Sequence, residues 1–305
     1  MTAPSRLLAH DDIKADAPEA WFERLKRSVT EPVQDGLRFP GFPSADIQRQ
    51  FVGSAYEDAL NEAAGFYQFA QEGMARRGYA RSAGGGYLDF GAGWGRIGRF
   101  FLRDFPSDKM AGVDIDPEMM AFCQGADLPG DFQAIANGQP LPFADGQFRL
   151  ITAYSVFTHL PPHLFKAWLS ELMRVLRPGG LLVFTVEPPR FLDFLEGADP
   201  ASDNAWLAAL AAHKPRIPGL REDLVRDGIA YLPSGGGAYR DADVYGDTTV
   251  TSAFLAKEAA ARGGDLAAFI DDPVRFWQAA AIIQRRPAWR DSLSRLLRKI
   301  TGQAA

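Results

Sequence analysis

Cysteine is almost absent: Cys123 is the only one in 305 residues. A single thiol excludes an intrachain disulfide and a zinc site of clustered cysteines. Cys123 is expected to serve as a small buried apolar side chain. Long hydrophobic runs are also missing. Nowhere do about 18 uninterrupted apolar residues occur, so no membrane span is expected. The opening MTAPSRLLAHDDIKADAPEAW has no signal-peptide core, and a cytoplasmic protein is expected. Positive charge is not in excess either, with 33 Lys and Arg against 38 Asp and Glu. Phosphate neutralisation needs clustered cations, so nucleic acid is not expected as a partner. What remains is an ordinary soluble composition, 47% hydrophobic, long enough to bury a sizeable core.

Periodicity divides the chain into expected segments. Residues 1–82 read as a helical extension, in which Ala59, Leu60, Ala63, Phe66, Tyr67, Ala70 and Met74 form one apolar stripe. From Gly86 the pattern becomes short apolar runs alternating with helical stretches. GYLDF, KMAGVDI, DFQAI, FRLITAYSV and GLLVFTVE are the expected strands, with helices at about 95–104, 117–124 and 162–176. Such alternation predicts an α/β fold with a mostly parallel sheet covered on both faces. Residues 188–245 read as an inserted cap. Residues 246–287 are expected to end the sheet with an antiparallel hairpin, DLAAFID with FWQAAAIIQRR. A last helix over 288–305 carries an apolar stripe opposite arginines, a candidate homodimer contact.

The richest stretch is YLDFGAGWGRIGRFF, with glycines at 91, 93, 95 and 98. A dinucleotide fingerprint needs glycine at 96, where Arg96 stands. Glycines allow the turn to pass tightly against a ligand, and the next helix offers free N–H groups. In AGVDIDPEMM, Asp114 ends a strand 23 residues after Gly91, where a carboxylate accepts both hydroxyls of a ribose. Asp116 before Pro117 reads as a helix cap.

With ANGQPLPFADGQFRLITAYSVFTHL, the chain resembles the class I S-adenosylmethionine-dependent methyltransferases over roughly residues 85–187. LDFGAGWGR, GVDIDPEMM, LPFADGQF and LRPGGLLVF stand in that family's order. The resemblance implies a three-layer Rossmann-like fold with S-adenosylmethionine as cofactor. Asp89, Gly91, Ala92, Gly93 and Gly95 would line the methionine moiety, Asp89 lying where its ammonium could sit. Asp114 would hold the ribose, and Ile115 and Met119 would flank the adenine. Asn137 stands where many members carry an acid, and its amide oxygen can still meet the adenine amino group. Arg149 replaces an Asp common in the family and is expected to be structural.

Acceptor residues are sought at strand ends. Tyr154, Ser155 and His159 follow the fourth strand of the core and Glu187 the fifth, and any of them could face the transferred methyl. His159, Tyr154 and Glu187 are the catalytic candidates, and Tyr154 is also a candidate cofactor contact. His159 is the natural general base if the nucleophile is a hydroxyl. His163 gives an H-x-x-x-H spacing, but Pro161 and Pro162 intervene and no HExxH glutamate is present, so no metal is expected. YGDTTVTSAFL and FPSADIQRQFVGSAYEDAL resemble a subgroup of these enzymes, some of which accompany bacterial glycosyltransferases. That resemblance makes Tyr245 and Asp247 candidate substrate contacts. The expectation is methyl transfer to an oxygen or nitrogen of a small molecule, with sugars or glycans as one acceptor class. The rival expectation is a catalytically silent cofactor-binding scaffold or regulatory subunit.

Overall fold

The computed structural model describes residues 5–78, 84–202, 205–235 and 239–287. The chain divides into two compact units, residues 1–154 with 175–183, and residues 155–174 with 184–305. The helix expected over 288–305 lies outside the described residues.

In the first unit, helices α1 (Pro18–Arg27), α2 (Ala45–Val52) and α3 (Tyr56–Ala75) form the N-terminal extension. Three two-residue strands, β1 (Arg6–Leu7), β2 (Val33–Gln34) and β3 (Leu37–Arg38), add a small sheet that the sequence pattern does not show. Such short pairs carry no readable period. The stripe on α3 is buried as expected, from Ala59 to Met74. Polar bonds from buried groups tie the extension to the core of this unit: Arg99 Nη1 donates to Pro40 O at 2.9 Å and Trp21 Nε1 to Phe100 O at 2.9 Å.

The core strands of this unit are β4 (Gly86–Phe90), β5 (Met110–Asp114), β6 (Asp131–Ala134) and β7 (Phe148–Ala153), with α4 (Gly98–Phe101) and α5 (Pro117–Gly125) between them. All residues of β4, β5 and β7 are buried, the mark of a parallel sheet covered on both faces. β4 pairs in parallel with both β5 and β7, and β5 with β6. The chain therefore leaves β4 toward β5 on one side and returns to lie beside it as β7 on the other. That reversal is the topological switch point at which α/β sheets hold ligands outside the carboxyl ends of their strands.

α6 (Pro162–Val175) leads directly into β8 (Leu176–Val186), which runs from the first unit into the second. Pro178, Gly179 and Gly180 lie inside this strand rather than closing the helix, with Gly179 at φ +82°. The second unit continues with α7 (Arg190–Gly197), α8 (Ala205–Ala211), α9 (Ile217–Asp227), β9 (Ile229–Pro233), β10 (Gly246–Val250), α10 (Ser252–Ala261), β11 (Gly264–Ile270) and β12 (Ala279–Arg285). β11 and β12 form the antiparallel hairpin, and the seven strands are ordered β11-β12-β8-β7-β4-β5-β6. The described residues of 188–245 add no strand to this sheet. Their helices bury Phe191, Leu192, Leu195, Leu210, Ile217 and Leu220 against one another and against Leu232 of β9. β9 pairs with β10 in a separate two-stranded sheet, so the expected boundary at 245/246 falls between two paired strands.

Candidate functional site

The glycine turn comes directly after β4. Gly91, Gly93 and Gly95 all have positive φ, at +75°, +50° and +77°. Gly95 has a second constraint, since a Cβ there would lie 2.1 Å from Leu128 Cδ2. The turn is braced from within. The N–H groups of Gly91 and Ala92 donate to Val113 O, and that of Gly95 to Ala92 O. Gly93 N donates to Asp114 Oδ2 at 2.8 Å. Helix α4 is shorter than the expected 95–104, although Ile97 and Leu102 on either side keep right-handed helical backbone.

Asp89 is 2% exposed. Its Oδ1 accepts from Thr152 Oγ1 at 3.1 Å and its Oδ2 from Gly98 N at 2.9 Å. With the Thr152 proton committed to an ionised Asp89, the Tyr87 hydroxyl at 2.7 Å donates to Thr152. Burial pushes the Asp89 acid up to about 7, against the two hydrogen bonds. Asp89 thus joins the glycine turn to β7 through a buried chain of hydroxyls.

Asp114 ends β5 and is 8% exposed. Besides the bond from Gly93, its Oδ1 accepts from Asp116 N at 3.0 Å. It thus stands at the carboxyl end of β5 beside the glycine turn, the place where a strand-end carboxylate can meet a ribose. Asp116 caps α5, its Oδ1 accepting from Glu118 N and Met119 N. Met119 is buried on α5, Ile115 is half-buried just after β5, and Asn137 is half-buried in the turn after β6. Tyr154 comes after β7, with its ring edge-on to Phe66 at 5.0 Å and the Arg96 guanidinium 4.9 Å from its centroid. Arg149 is buried in β7, with its guanidinium over the Phe105 ring. Cys123 is buried, and burial pushes its thiol up to about 12.

The remaining candidates belong to the second unit. Ser155 has φ +57°, uncommon for a non-glycine residue. Its N–H donates to Thr185 Oγ1 at 2.8 Å and its Oγ accepts from Gln278 Nε2 at 2.9 Å. Glu187 is 6% exposed just after β8, where its backbone bridges to Thr249 of β10. Burial pushes its acid up to about 8, and the charge of Asp247 adds to the shift while Arg190 opposes it. Asp247 is itself raised to about 6 by burial.

His159 lies with its ring stacked on Tyr245 at 4.4 Å and Nδ1 2.8 Å from Gly246 O. A carbonyl only accepts, so Nδ1 carries the proton and Nε2 is the acceptor. Burial lowers the imidazole to about 4. His163 is exposed at the start of α6. Among the described residues no group of three His, Cys, Asp or Glu is placed to hold a metal ion.

The structure thus places Asp89, the glycines and Asp114 together in the first unit. In the second it places His159 with Tyr245, and Glu187 with Asp247. Gln278 and Thr185 were not identified from sequence, for a lone hydroxyl in an apolar strand, or a lone amide just before one, leaves no pattern.

A parallel sheet with a switch point, a braced glycine turn and a strand-end carboxylate define a nucleoside-cofactor domain. Residues 88–180 match a family described as a methyltransferase domain, and this segment is an S-adenosylmethionine-dependent methyltransferase domain with a Rossmann-like fold. S-adenosylmethionine is the cofactor of that class. A fatty-acid O-methyltransferase of Mycolicibacterium smegmatis is 30% identical over 105 residues, which cover 34% of this chain and 38% of that protein. A malonyl-[acyl-carrier protein] O-methyltransferase of Methylococcus capsulatus is 35% identical over 102 residues, covering 32% and 36%. Each match thus spans little more than a third of the relative's length. The crystal structure of an S-adenosylmethionine-dependent methyltransferase from Clostridium acetobutylicum superimposes with a TM-score of 0.50 at 12% identity. It covers 73% of this chain and 91% of that one, a likeness of fold. The residues present fit the cofactor: the buried strand-end carboxylate of Asp114 suits the ribose, and side-chain-free positions at 91, 93 and 95 suit close backbone approach. Among the described residues no helix is long and apolar enough to cross a membrane.

Proposed function

We propose that the protein transfers a methyl group from S-adenosylmethionine to an oxygen or nitrogen of a small-molecule acceptor, with a saccharide hydroxyl as the favoured class. The carrying observation is Asp114, ending β5 with its carboxylate bonded to the Gly93 N–H of a braced glycine turn. Two relatives named for O-methylation support oxygen as the accepting atom.

In this proposal Asp114 holds the ribose, Ile115 and Met119 flank the adenine, and Asn137 meets its amino group. Asp89, with both oxygens engaged, keeps the turn in shape and supplies negative charge beneath it. The cofactor, when bound, supplies an electrophilic methyl on a sulfonium sulfur. Alignment of that methyl with the nucleophile does most of the work in such a displacement.

Glu187 is assigned as the general base. An acid raised to about 8 is matched to a proton acceptor working near neutral pH, whereas an imidazole lowered to about 4 is a weak one. As the acceptor oxygen attacks, its proton passes to the Glu187 carboxylate. His159, pinned at Gly246 O, positions Tyr245, and Tyr245 and Asp247 are proposed substrate contacts. Tritiated methyl transfer as a function of pH tests the assignment. The rate should rise with pH toward a limb near 8 that Glu187→Gln removes, and a limb near 4 that His159→Gln removes would return the base to His159.

A further inference from the structure

Beyond the base, one polar group of the second unit is built in a way its packing does not require. Ser155 holds a left-handed backbone, a strained conformation for a non-glycine residue. That conformation, fixed by the bond to Thr185, presents its hydroxyl to the Gln278 amide. With Nε2 committed to Ser155, the Gln278 oxygen is buried and has no hydrogen-bond partner among the described residues. The amide also lies beside the Glu187 carboxyl, which is more than nine-tenths buried. A buried acceptor left unpaired is costly, and a ligand donor relieves it.

We infer that Gln278, locked on Ser155 beside Glu187, is the specificity residue of the acceptor site, and that it and Glu187 take two adjacent hydroxyls of a neutral polyhydroxyl compound such as a saccharide residue. This rests on the methyltransferase reading above. With Glu187 ionised, as its role of base requires, the two groups are both acceptors toward an incoming ligand, so they call for two donors. Charge narrows the class. An anionic acceptor would meet the acids Glu187 and Asp247, while Arg190, the cation beside Glu187, is held by Asp271 Oδ1 at 2.6 Å and by Trp277 O at 2.6 Å. Neutral hydroxyls avoid that conflict. Next to Gln278 in the chain, Trp277 is 51% exposed and edge-on to Phe194 at 4.7 Å, an exposed indole suited to the C–H face of a sugar ring.

The test is tritiated methyl transfer to a panel of methyl pentosides, hexosides and 6-deoxyhexosides, with their single-hydroxyl deletions, beside palmitic acid and phenethylamine. A glycoside with a vicinal diol should be the best acceptor, and deleting the hydroxyl that meets Gln278 should lower kcat/KM about tenfold. Gln278→Leu should raise KM about tenfold for the diol and no longer distinguish the diol from its deoxy form. Gln278→Asn should restore part of the discrimination. Calorimetry with S-adenosylhomocysteine on each variant confirms that the cofactor site is intact. Preference for palmitic acid or the amine, transfer to none of the glycosides, or a Gln278→Leu loss equal for all acceptors overturns the inference. Failure of the wild type to bind S-adenosylhomocysteine overturns instead the reading on which it rests.

Discussion

Asp114 and Glu187 are one kind of side chain in two environments, and their environments assign them different work. Asp114 receives two backbone N–H groups, whereas Glu187 is buried beside a second acid. Asp114→Ala should weaken S-adenosylhomocysteine binding by about 3 kcal/mol, near a hundredfold, because two charge-assisted hydrogen bonds to the ribose are lost. Isothermal calorimetry reads this directly, and unchanged affinity would remove Asp114 from the site. Glu187→Gln keeps shape and polarity but takes no proton, so turnover should fall at least tenfold with cofactor affinity unchanged. Residues whose role comes from local chain order were legible in the sequence. Asp114 ends a strand, Asp116 precedes a proline, and the glycines crowd one turn. Gln278 was not legible, because its meaning comes from Ser155, 123 residues away in the chain. His159 was legible as a titratable group but not as one whose burial depresses its basicity.

Among the elements, the glycine turn between β4 and α4 carries the tightest packing. Gly95→Ala would set a Cβ against Leu128 and force an unfavourable φ, so it should cost about 2–3 kcal/mol in urea denaturation and weaken cofactor binding as well. Gly53→Ala is the control. It shares the positive φ, at the C-cap of α2, but its Cβ would meet nothing within 4 Å, so only the backbone term of about 1 kcal/mol should appear. Strands were read well where burial on both faces makes continuous apolar runs. They were misread where a special backbone intervenes: β7 stops at Ala153, two residues before left-handed Ser155, and β8 begins through Pro178 and Gly179. β9 escaped notice because IAYLP lies in a proline- and glycine-scattered stretch and pairs outside the main sheet.

For the whole molecule, the buried acids set the response to pH. The folded protein holds protons on Glu187 and Asp89 up to about 8 and 7, far above the ordinary values of 4.5 and 3.8. Between those limits the native state binds more protons than the unfolded chain. The stability from these neutral acids is full below the ordinary values and is lost as pH rises through the raised ones. His159 has the opposite sign, lowered from 6.5 to about 4, and acts only below about 6.5. From about pH 6.5 to 8 the acids act alone, and stability in urea should fall by about 2 kcal/mol from Glu187. Glu187→Gln should flatten that slope, and a slope unchanged in the variant would contradict the burial argument. A ligand that binds only the folded state adds about 2.7 kcal/mol at a hundred times its dissociation constant. S-adenosylhomocysteine at such a concentration should therefore raise the melting temperature by several degrees.

The most direct test of the central claim is calorimetric titration of the wild-type protein with S-adenosylmethionine and S-adenosylhomocysteine, with NAD as the control. The account predicts micromolar binding of the first two and none of NAD. Tight binding of NAD without binding of either sulfur compound would contradict it.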